Sequence, residues 1–354
     1  MNEYRRLREI DFLRGVAILL VLFRHKELVS YLTKMGWIGV DLFFVISGFL
    51  VSGLLFKEYK KFGTINIKLF LIRRGFKIYP IYYLSYIFYL FFKLKSETFS
   101  LKYVLADLFF VQNYVYGFGY AYVASWSLAI EEHFYFALAL LLGYIYNKKK
   151  SVNLQHLILF VISITFLMKI FSNLYFDDVV RNYTMTHLRM DSLFAGVLIS
   201  YWFYFKKETL ENIFNANKKT LILVSFVFLA FTPFYDFSDS ILVRTVGFTT
   251  LYVSFGIILI YFLLQKNINN ILDRFFTKWG VDLISKIGYC SYSIYIIHIL
   301  VFKIFVEFLN FGINYYVDLV LQLLACISLG MLMTYKVEKY FLSLRDKYYP
   351  RRIA

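Results

Sequence analysis

Long apolar runs alternate with short polar segments along almost the whole chain. About ten of these runs approach the length needed to cross a bilayer, roughly 20 residues at a rise of 1.5 Å each. They cover residues 10–31, 37–56, 77–93, 126–146, 154–172, 189–205, 220–235, 243–264, 288–309 and 315–335. The pattern predicts an all-α, polytopic integral membrane protein with about ten transmembrane helices. Residues 103–116 are apolar but too few to cross, which favours a re-entrant or surface helix.

Lysine and arginine are unevenly distributed between the predicted loops. Most of them fall in alternate loops, on the side that also holds the amino terminus, as in the cluster Lys148–Lys150. Such an excess marks the cytoplasmic side of a membrane protein. The charge pattern therefore predicts that both termini are cytoplasmic.

The composition supports a membrane class. The 354 residues are 60% hydrophobic and 22% aromatic, more apolar than a typical soluble domain. The net charge of +16 could suggest nucleic-acid binding, but the basic residues lie in short clusters that suit loops facing anionic lipid. We therefore expect membrane lipid, and no nucleic acid, as a partner. Cys290 and Cys326 lack metal-ligand spacing, so no metal site is predicted. Without repeats or an appended soluble domain, residues 1–354 are expected to form one transmembrane domain.

Ionisable residues interrupt the first predicted span, which contains Asp11, Arg14 and His25. Arg14 and His25 are separated by about three helical turns, so their side chains leave the same face. Charged groups at membrane depth are costly and usually face a bundle interior or a wet cavity. Arg14 alone could snorkel to the interface. A histidine further along the same face favours a functional site.

With this topology, several spans bring polar residues to a similar depth near the outer leaflet. These residues are His25, Asp41, Glu131, Glu132, Arg189 and Asp191. A histidine beside a carboxylate can act as a general base, because the carboxylate fixes its tautomer and raises its basicity. We interpret His25 as a base that removes a hydroxyl proton, oriented by either Asp41 or Glu131. Structural roles are open for Glu132, at a helix start, and for Arg189 and Asp191, which could pair with each other.

Cations gather at the cytoplasmic ends of the spans. They are Arg14, Arg73, Arg74 and Lys77. Guanidinium groups pair with phosphate bidentately and stay charged, so this group favours a phosphate-rich donor such as acyl-coenzyme A. Arg73 and Arg74 could instead serve only to set topology. His298, in the middle of the ninth span, could be either structural or part of the site.

Six segments resemble motifs of the acyltransferase-3 family, bacterial integral-membrane O-acyltransferases that act on cell-surface carbohydrate. The segments are EIDFLRG (9–15) with His25, GWIGVDLFFVISGF (36–49), FLIRRGFKIYP (70–80), WSLAIEEHFY (126–135), RMDSLFAG (189–196) and SYSIYIIH (291–298). They occur in order over most of the chain. One position departs from the pattern: the family has Arg-x-x-Arg, and this chain has Lys77 after Arg74, which keeps the charge but loses the guanidinium fork.

The resemblance implies a multi-pass O-acyltransferase, in particular an O-acetyltransferase, of the bacterial cytoplasmic (inner) membrane. The donor would be acyl-CoA, and acetyl-CoA in particular, entering from the cytoplasm. The acceptor would be a hydroxyl of a surface glycan, such as lipopolysaccharide, or of a lipid-linked sugar. Some relatives carry an extracytoplasmic domain that completes transfer, so the expectation is that this protein either transfers the acyl group directly or uses a separate extracytoplasmic transferase partner. The alternative is a membrane carrier that moves a polysaccharide without acyl transfer.

Overall fold

A computed structural model describes residues 7–27, 29–96, 99–176, 178–309 and 312–352. Within these ranges the regular structure is helical, without strands, which confirms the predicted all-α class. The α-helices are α1 (Arg8–His25), α2 (Ser30–Met35), α3 (Ile38–Phe62), α4 (Ile67–Ser96), α5 (Leu101–Leu108), α6 (Gln112–Val115), α7 (Trp126–Asn147), α8 (Leu154–Tyr175), α9 (Val179–Thr184), α10 (Met190–Phe205), α11 (Lys207–Leu229), α12 (Phe248–Leu264), α13 (Ile268–Phe276), α14 (Lys278–Tyr289), α15 (Ser291–Phe308), α16 (Tyr315–Met333) and α17 (Lys339–Tyr348). Two π-helical segments, Val243–Gly247 and Thr334–Glu338, continue into α12 and α17.

Six helical segments among the described residues are long and apolar enough to cross a membrane on their own. They are Ile38–Phe62, Val123–Asn147, Leu154–Tyr175, Val243–Leu264, Ser291–Phe308 and Tyr315–Tyr348. The other four predicted spans also fall on helices, namely α1, α4, α10 and α11. The membrane character is thus supported, while the count of ten crossings and the cytoplasmic termini stay predictions. The apolar stretch 103–116 forms the short helices α5 and α6, too short to cross.

Two predicted boundaries are wrong in ways that affect the site. The first span was expected to run over 10–31, but α1 ends at His25 and Lys26 is extended. Arg24, in the last turn of α1, forms a 2.5 Å ion pair with Asp236, which follows α11. The third span was expected to begin at Lys77, but α4 begins ten residues earlier.

Helices α3 and α10 cross at very close range. A β-carbon built on Gly196 would lie 2.2 Å from the carbonyl oxygen of Val45, far inside van der Waals contact. Only a residue without a side chain allows this approach of the two backbones. The crossing brings Asp41 of α3 next to the amino-terminal end of α10, where Arg189 precedes the helix.

Helix α1 packs against helices from the other end of the chain. A β-carbon on Gly288 of α14 would lie 1.8 Å from the carbonyl oxygen of Asp11. At the start of α1, Arg8 forms 2.8 Å ion pairs with Asp273 and Asp282. Further along, Arg14 donates a 3.0 Å hydrogen bond to Ser291 of α15. One face of the first helix therefore packs against residues that lie more than 260 positions later in the sequence.

Candidate active site

Three cavities lie in series through the helix bundle. The first, the basic cavity, has a volume of about 320 Å³ and is lined by Leu54, Glu58, Leu69, Phe70, Arg73, Arg74, Lys77, Leu342, Arg345, Arg351 and Arg352. Six of these side chains are cations and one is a carboxylate. Because like charges repel, such a cluster is costly unless anions balance it. The cavity is therefore suited to a multiply charged anion.

The second cavity, the central chamber, adjoins the first. It has a volume of about 170 Å³ and shares Arg74 and Lys77 with the basic cavity. Its other lining residues are Arg14, Val40, Phe43, Phe44, Ile46, Ser47, Leu50, Val51, Ile78, Ser127, Leu128, Glu131, Tyr135, Ser291, Tyr292 and Tyr295. Apolar walls with a few polar groups suit a flexible chain with scattered hydrogen-bonding atoms.

The third cavity, the histidine cavity, lies beyond the chamber and shares Val40 and Tyr295 with it. It has a volume of about 210 Å³ and is lined by Val21, Arg24, His25, Gly36, Trp37, Val40, Phe118, Val123, Ala124, Trp126, Tyr183, Phe237 and Tyr295. Arg14 in the chamber and His25 in this cavity are both on α1, separated by a rise of about 16 Å. The sequence predicts that their side chains leave one face of the helix, and each of them lines one of two cavities that share Val40 and Tyr295.

His25 lies against a second imidazole. The ring centroids of His25 and His298 are 5.0 Å apart. His298 is fully buried, and its Nδ1 is 2.5 Å from the carbonyl oxygen of Tyr295. A carbonyl oxygen only accepts, so a neutral His298 carries its proton on Nδ1 and exposes the Nε2 lone pair. That Nε2 has no hydrogen-bond partner among the described residues.

Asp41 does not orient His25, contrary to expectation. It accepts hydrogen bonds from Arg189, at 2.7 Å, and from Ser192, at 3.2 Å. Next to this pair, Lys169 of α8 forms a 2.6 Å ion pair with Asp191. The side chains of Asp41, Lys169, Arg189 and Asp191 are all fully buried. They form a buried quartet of two cations and two carboxylates that joins α3, α8 and α10.

The predicted depth of these residues in the membrane does not indicate which of them pair. The structural alternative, in which Arg189 and Asp191 pair with each other, is wrong as well, because each has a partner from another helix. The guanidinium carbon of Arg189 also lies 3.7 Å from the ring centroid of Phe248, a cation–π contact. These contacts give the quartet a role in holding helices together.

Glu131 also has partners other than His25. It accepts hydrogen bonds from Ser47, at 2.5 Å, and from Tyr135, at 2.9 Å, within the central chamber. Its neighbour Glu132 is buried and accepts a 2.9 Å hydrogen bond from Tyr79. Neither glutamate is hydrogen-bonded to His25 in the described structure, so the predicted carboxylate–histidine pair is not formed.

The predicted cations do gather at one end of the path. Arg73, Arg74 and Lys77 project from one side of α4, because residues three and four apart share a helix face. Arg74 has no hydrogen bond or ion pair with any described residue, and its guanidinium packs 5.1 Å from the Tyr135 ring centroid. Arg14 joins the group from α1 and lies 3.7 Å from Asp11, which is itself buried.

Two of the three cations on α4 have acidic partners. Lys77 forms an ion pair with Glu338, a buried residue at the end of the π-helical segment Thr334–Glu338. Arg73 pairs with Asp346 at 2.7 Å and donates to the carbonyl of Tyr349. The departure from the family pattern at position 77 thus coincides with a lysine whose charge is balanced within the protein.

Comparison with known proteins decides the family. A family model described as an acyltransferase domain matches residues 7–335. The chain belongs to this acyltransferase family. A Staphylococcus aureus (strain COL) protein named "Putative O-acetyltransferase" is 32% identical over 256 residues, 64% of this chain and 42% of that protein. The O-acetyltransferase OatA of S. aureus (strain NCTC 8325) is 29% identical over 230 residues, 60% of this chain and 38% of that protein.

The acyltransferase chain spans less than half the length of these curated relatives. No solved structure matches it. Among the described residues, no group of three or more histidine, cysteine, aspartate or glutamate side chains could hold a metal ion.

Several lining residues of the acyltransferase were not predicted individually. Tyr295 separates the chamber from the histidine cavity, and its hydroxyl lies 2.7 Å from that of Ser127. Both belong to segments that carry the family resemblance, so the motifs held a signal for them. Lys169 also had a signal, since a lysine inside a predicted span calls for a partner. The tail arginines Arg345 and Arg351 had none, because in sequence they only add to the positive charge of a terminal segment.

Proposed function

We propose that this acyltransferase is a membrane-bound O-acetyltransferase that takes its acyl group from acyl-CoA and transfers it to a hydroxyl of an exported or surface glycan, or of a lipid-linked sugar. The observation that carries the proposal is the series of cavities, with cations at one end and a histidine pair at the other. The basic end would face the cytoplasm of a bacterial cell and the histidine end the outside. The names of the two S. aureus proteins support O-acetyl transfer.

The donor would enter through the basic cavity. Coenzyme A carries several phosphate groups, and guanidinium groups bind phosphate through paired charge-assisted hydrogen bonds. Arg74 is suited to this role because it borders both the basic cavity and the chamber and forms no hydrogen bond or ion pair with a described residue. The pantetheine arm would then lie in the chamber, with its thioester directed toward Tyr295.

His25 would act as the general base in the histidine cavity. It takes the proton from the acceptor hydroxyl while that oxygen attacks the thioester carbonyl. A carbon–oxygen bond forms, the carbon–sulfur bond breaks, and the thiolate of CoA leaves and takes up a proton. The acceptor fits beside His25 because this cavity is lined by aromatic residues such as Trp37 and Trp126, whose faces suit the apolar faces of a sugar ring.

His298 would replace the expected carboxylate as the residue that positions the base. Its Nε2 lone pair could accept a hydrogen bond from the N–H of one ring nitrogen of His25, which would leave the other nitrogen of His25 available to accept the hydroxyl proton. Tyr295 supports this arrangement, since its carbonyl fixes the tautomer of His298. A neutral acceptor orients the base without the charge of a carboxylate.

The test is acetyl transfer by the purified protein in lipid nanodiscs, with labelled acetyl-CoA and candidate glycans. His25→Ala should reduce transfer by about 10²- to 10⁴-fold, the usual contribution of a positioned base. His156→Ala is the matched control, because this exposed histidine lines none of the three cavities. The substitution should leave the rate unchanged. Folded His25→Ala protein with parental activity would refute the role of His25, and glycan movement with intact acetyl-CoA would instead indicate a carrier.

His298→Ala separates positioning from chemistry. We expect a smaller loss than in His25→Ala together with an altered pH profile of kcat, because His25 would lose the neighbour that fixes its orientation. An unaltered pH profile would argue that His298 only fills space.

A further inference from the structure

The carboxy-terminal segment supplies half of the cations of the basic cavity. Arg73, Arg74 and Lys77 come from α4, whereas Arg345, Arg351 and Arg352 come from residues 339–352. The tail arginines belong to the basic cavity alone, while Arg74 and Lys77 also border the chamber. The tail cations therefore lie farther from the chamber along the path.

Specific contacts hold the tail across the cavity mouth. Arg352 forms a 2.7 Å ion pair with Glu58 of α3. Asp346 pairs with Arg73 of α4, and the rings of Tyr349 and Phe76 pack at a centroid distance of 5.7 Å. Glu58 is held in turn, since it accepts a 3.0 Å hydrogen bond from the backbone N–H of Asn66. The segment is thus anchored to two helices rather than simply following the last span.

The order of cations matches the order of anionic groups in an acyl-CoA. From the thioester outward, such a donor carries pantetheine, then a diphosphate, then a ribose with a 3′-phosphate and adenine. With the thioester in the chamber, the diphosphate would lie near Arg74 and Lys77, which line both cavities. The 3′-phosphate then falls among the residues that only the basic cavity contains.

We propose that Arg345 and Arg351 of the tail bind the ribose 3′-phosphate of the donor, and that this pair selects acyl-CoA over donors without that phosphate. The proposal rests on the proposed function, because it assigns one end of the same donor. Arg352 is the anchor that holds the tail in place through Glu58. Arg74 binds the diphosphate, which all CoA-type donors share.

The test compares acetyl-CoA with acetyl-dephospho-CoA, which lacks only the 3′-phosphate. Arg351→Gln should raise KM for acetyl-CoA by roughly fivefold, a modest change because exposed charge pairs are screened by water. It should leave KM for the dephospho donor unchanged, so the preference between donors falls. Arg74→Gln should raise KM for both donors alike and keep the preference. Lys347→Gln is the control, since this exposed tail lysine lies outside the cavity lining and should change neither KM.

Binding of CoA and dephospho-CoA to the same purified proteins, measured calorimetrically, provides a readout without turnover. Loss of the binding preference in Arg351→Gln supports the assignment. Turnover of both donors with the parental preference in Arg351→Gln and in the double variant Arg345→Gln/Arg351→Gln overturns it and leaves the proposed function standing. A parent protein that neither binds CoA nor consumes acetyl-CoA overturns both.

Discussion

The buried quartet makes a quantitative prediction about stability. Lys169→Met removes one cation and keeps a side chain of similar length. Asp191 then loses its partner at 2.6 Å, and both side chains are fully buried. At an effective dielectric constant of 20, attraction at that distance is about 6 kcal/mol, much of it offset by the cost of desolvating two ions. Removing one partner of a buried pair typically costs about 3–5 kcal/mol, because the other charge stays buried and unpaired.

A second substitution tests whether charge is the cause. Lys169→Met combined with Asp191→Asn removes both charges and leaves the pair of Arg189 and Asp41 intact. The double variant should therefore recover most of the loss, although the two single changes are each destabilising. If side-chain shape rather than charge were decisive, the losses of stability from the two substitutions would add, and the double variant would be the least stable.

The assay can use the protein's own thiols. Cys290 and Cys326 form no disulfide among the described residues and are fully buried, so a thiol-reactive dye reaches them only on unfolding. With an unfolding entropy of about 2.1 cal/mol/K per residue over 354 residues, a loss of 3–5 kcal/mol lowers Tm by roughly 4–7 °C. A Tm of Lys169→Met within about 1 °C of the parent, or a double variant below the single one, would refute the reasoning.

Two further predictions follow from the packing and the ion pairs. Gly196→Ala should separate α3 from α10 and lower Tm, because its β-carbon would lie 2.2 Å from the Val45 carbonyl oxygen. Gly280→Ala is the control and should have little effect, because its β-carbon would meet no atom closer than 3.4 Å. Equal dye-reported Tm values for the two variants would contradict the close crossing. Glu338→Gln should release Lys77 from its ion pair and so make its charge available to the donor. KM for acetyl-CoA should then fall by about two- to fivefold, the value of one screened charge contact. A higher KM would show instead that Glu338 positions Lys77 for the donor.

The fold class and the grouping of the site were predictable, because they depend on periodicities along the chain. Apolar runs predict helices, and the spacing of Arg73, Arg74 and Lys77 predicts one shared face. The spacing of Arg14 and His25 likewise predicts that one helix face connects both ends of the path. These inferences need only the geometry of a single helix.

The partners of the site residues were not predictable in the same way. Topology gives the depth of a residue in a bundle but not its direction around the helix axis relative to neighbours. Asp41, Glu131 and His25 were predicted at similar depth, yet the carboxylates point to Arg189 and to Ser47, respectively. Which partner each carboxylate contacts is determined by close helix crossings such as that of α3 and α10. These crossings depend on the packing of several helices at once.

The long reach between α1 and α14 has a consequence for biosynthesis. Because chains emerge from the ribosome amino terminus first, the first helix must wait for these partners while most of the polypeptide is still being made. Arg8 and His25 acquire their counterparts Asp282 and His298 only when the late segments have been inserted. The candidate site is therefore completed only late in synthesis, so a prematurely terminated chain lacks the residues that face Arg8 and His25.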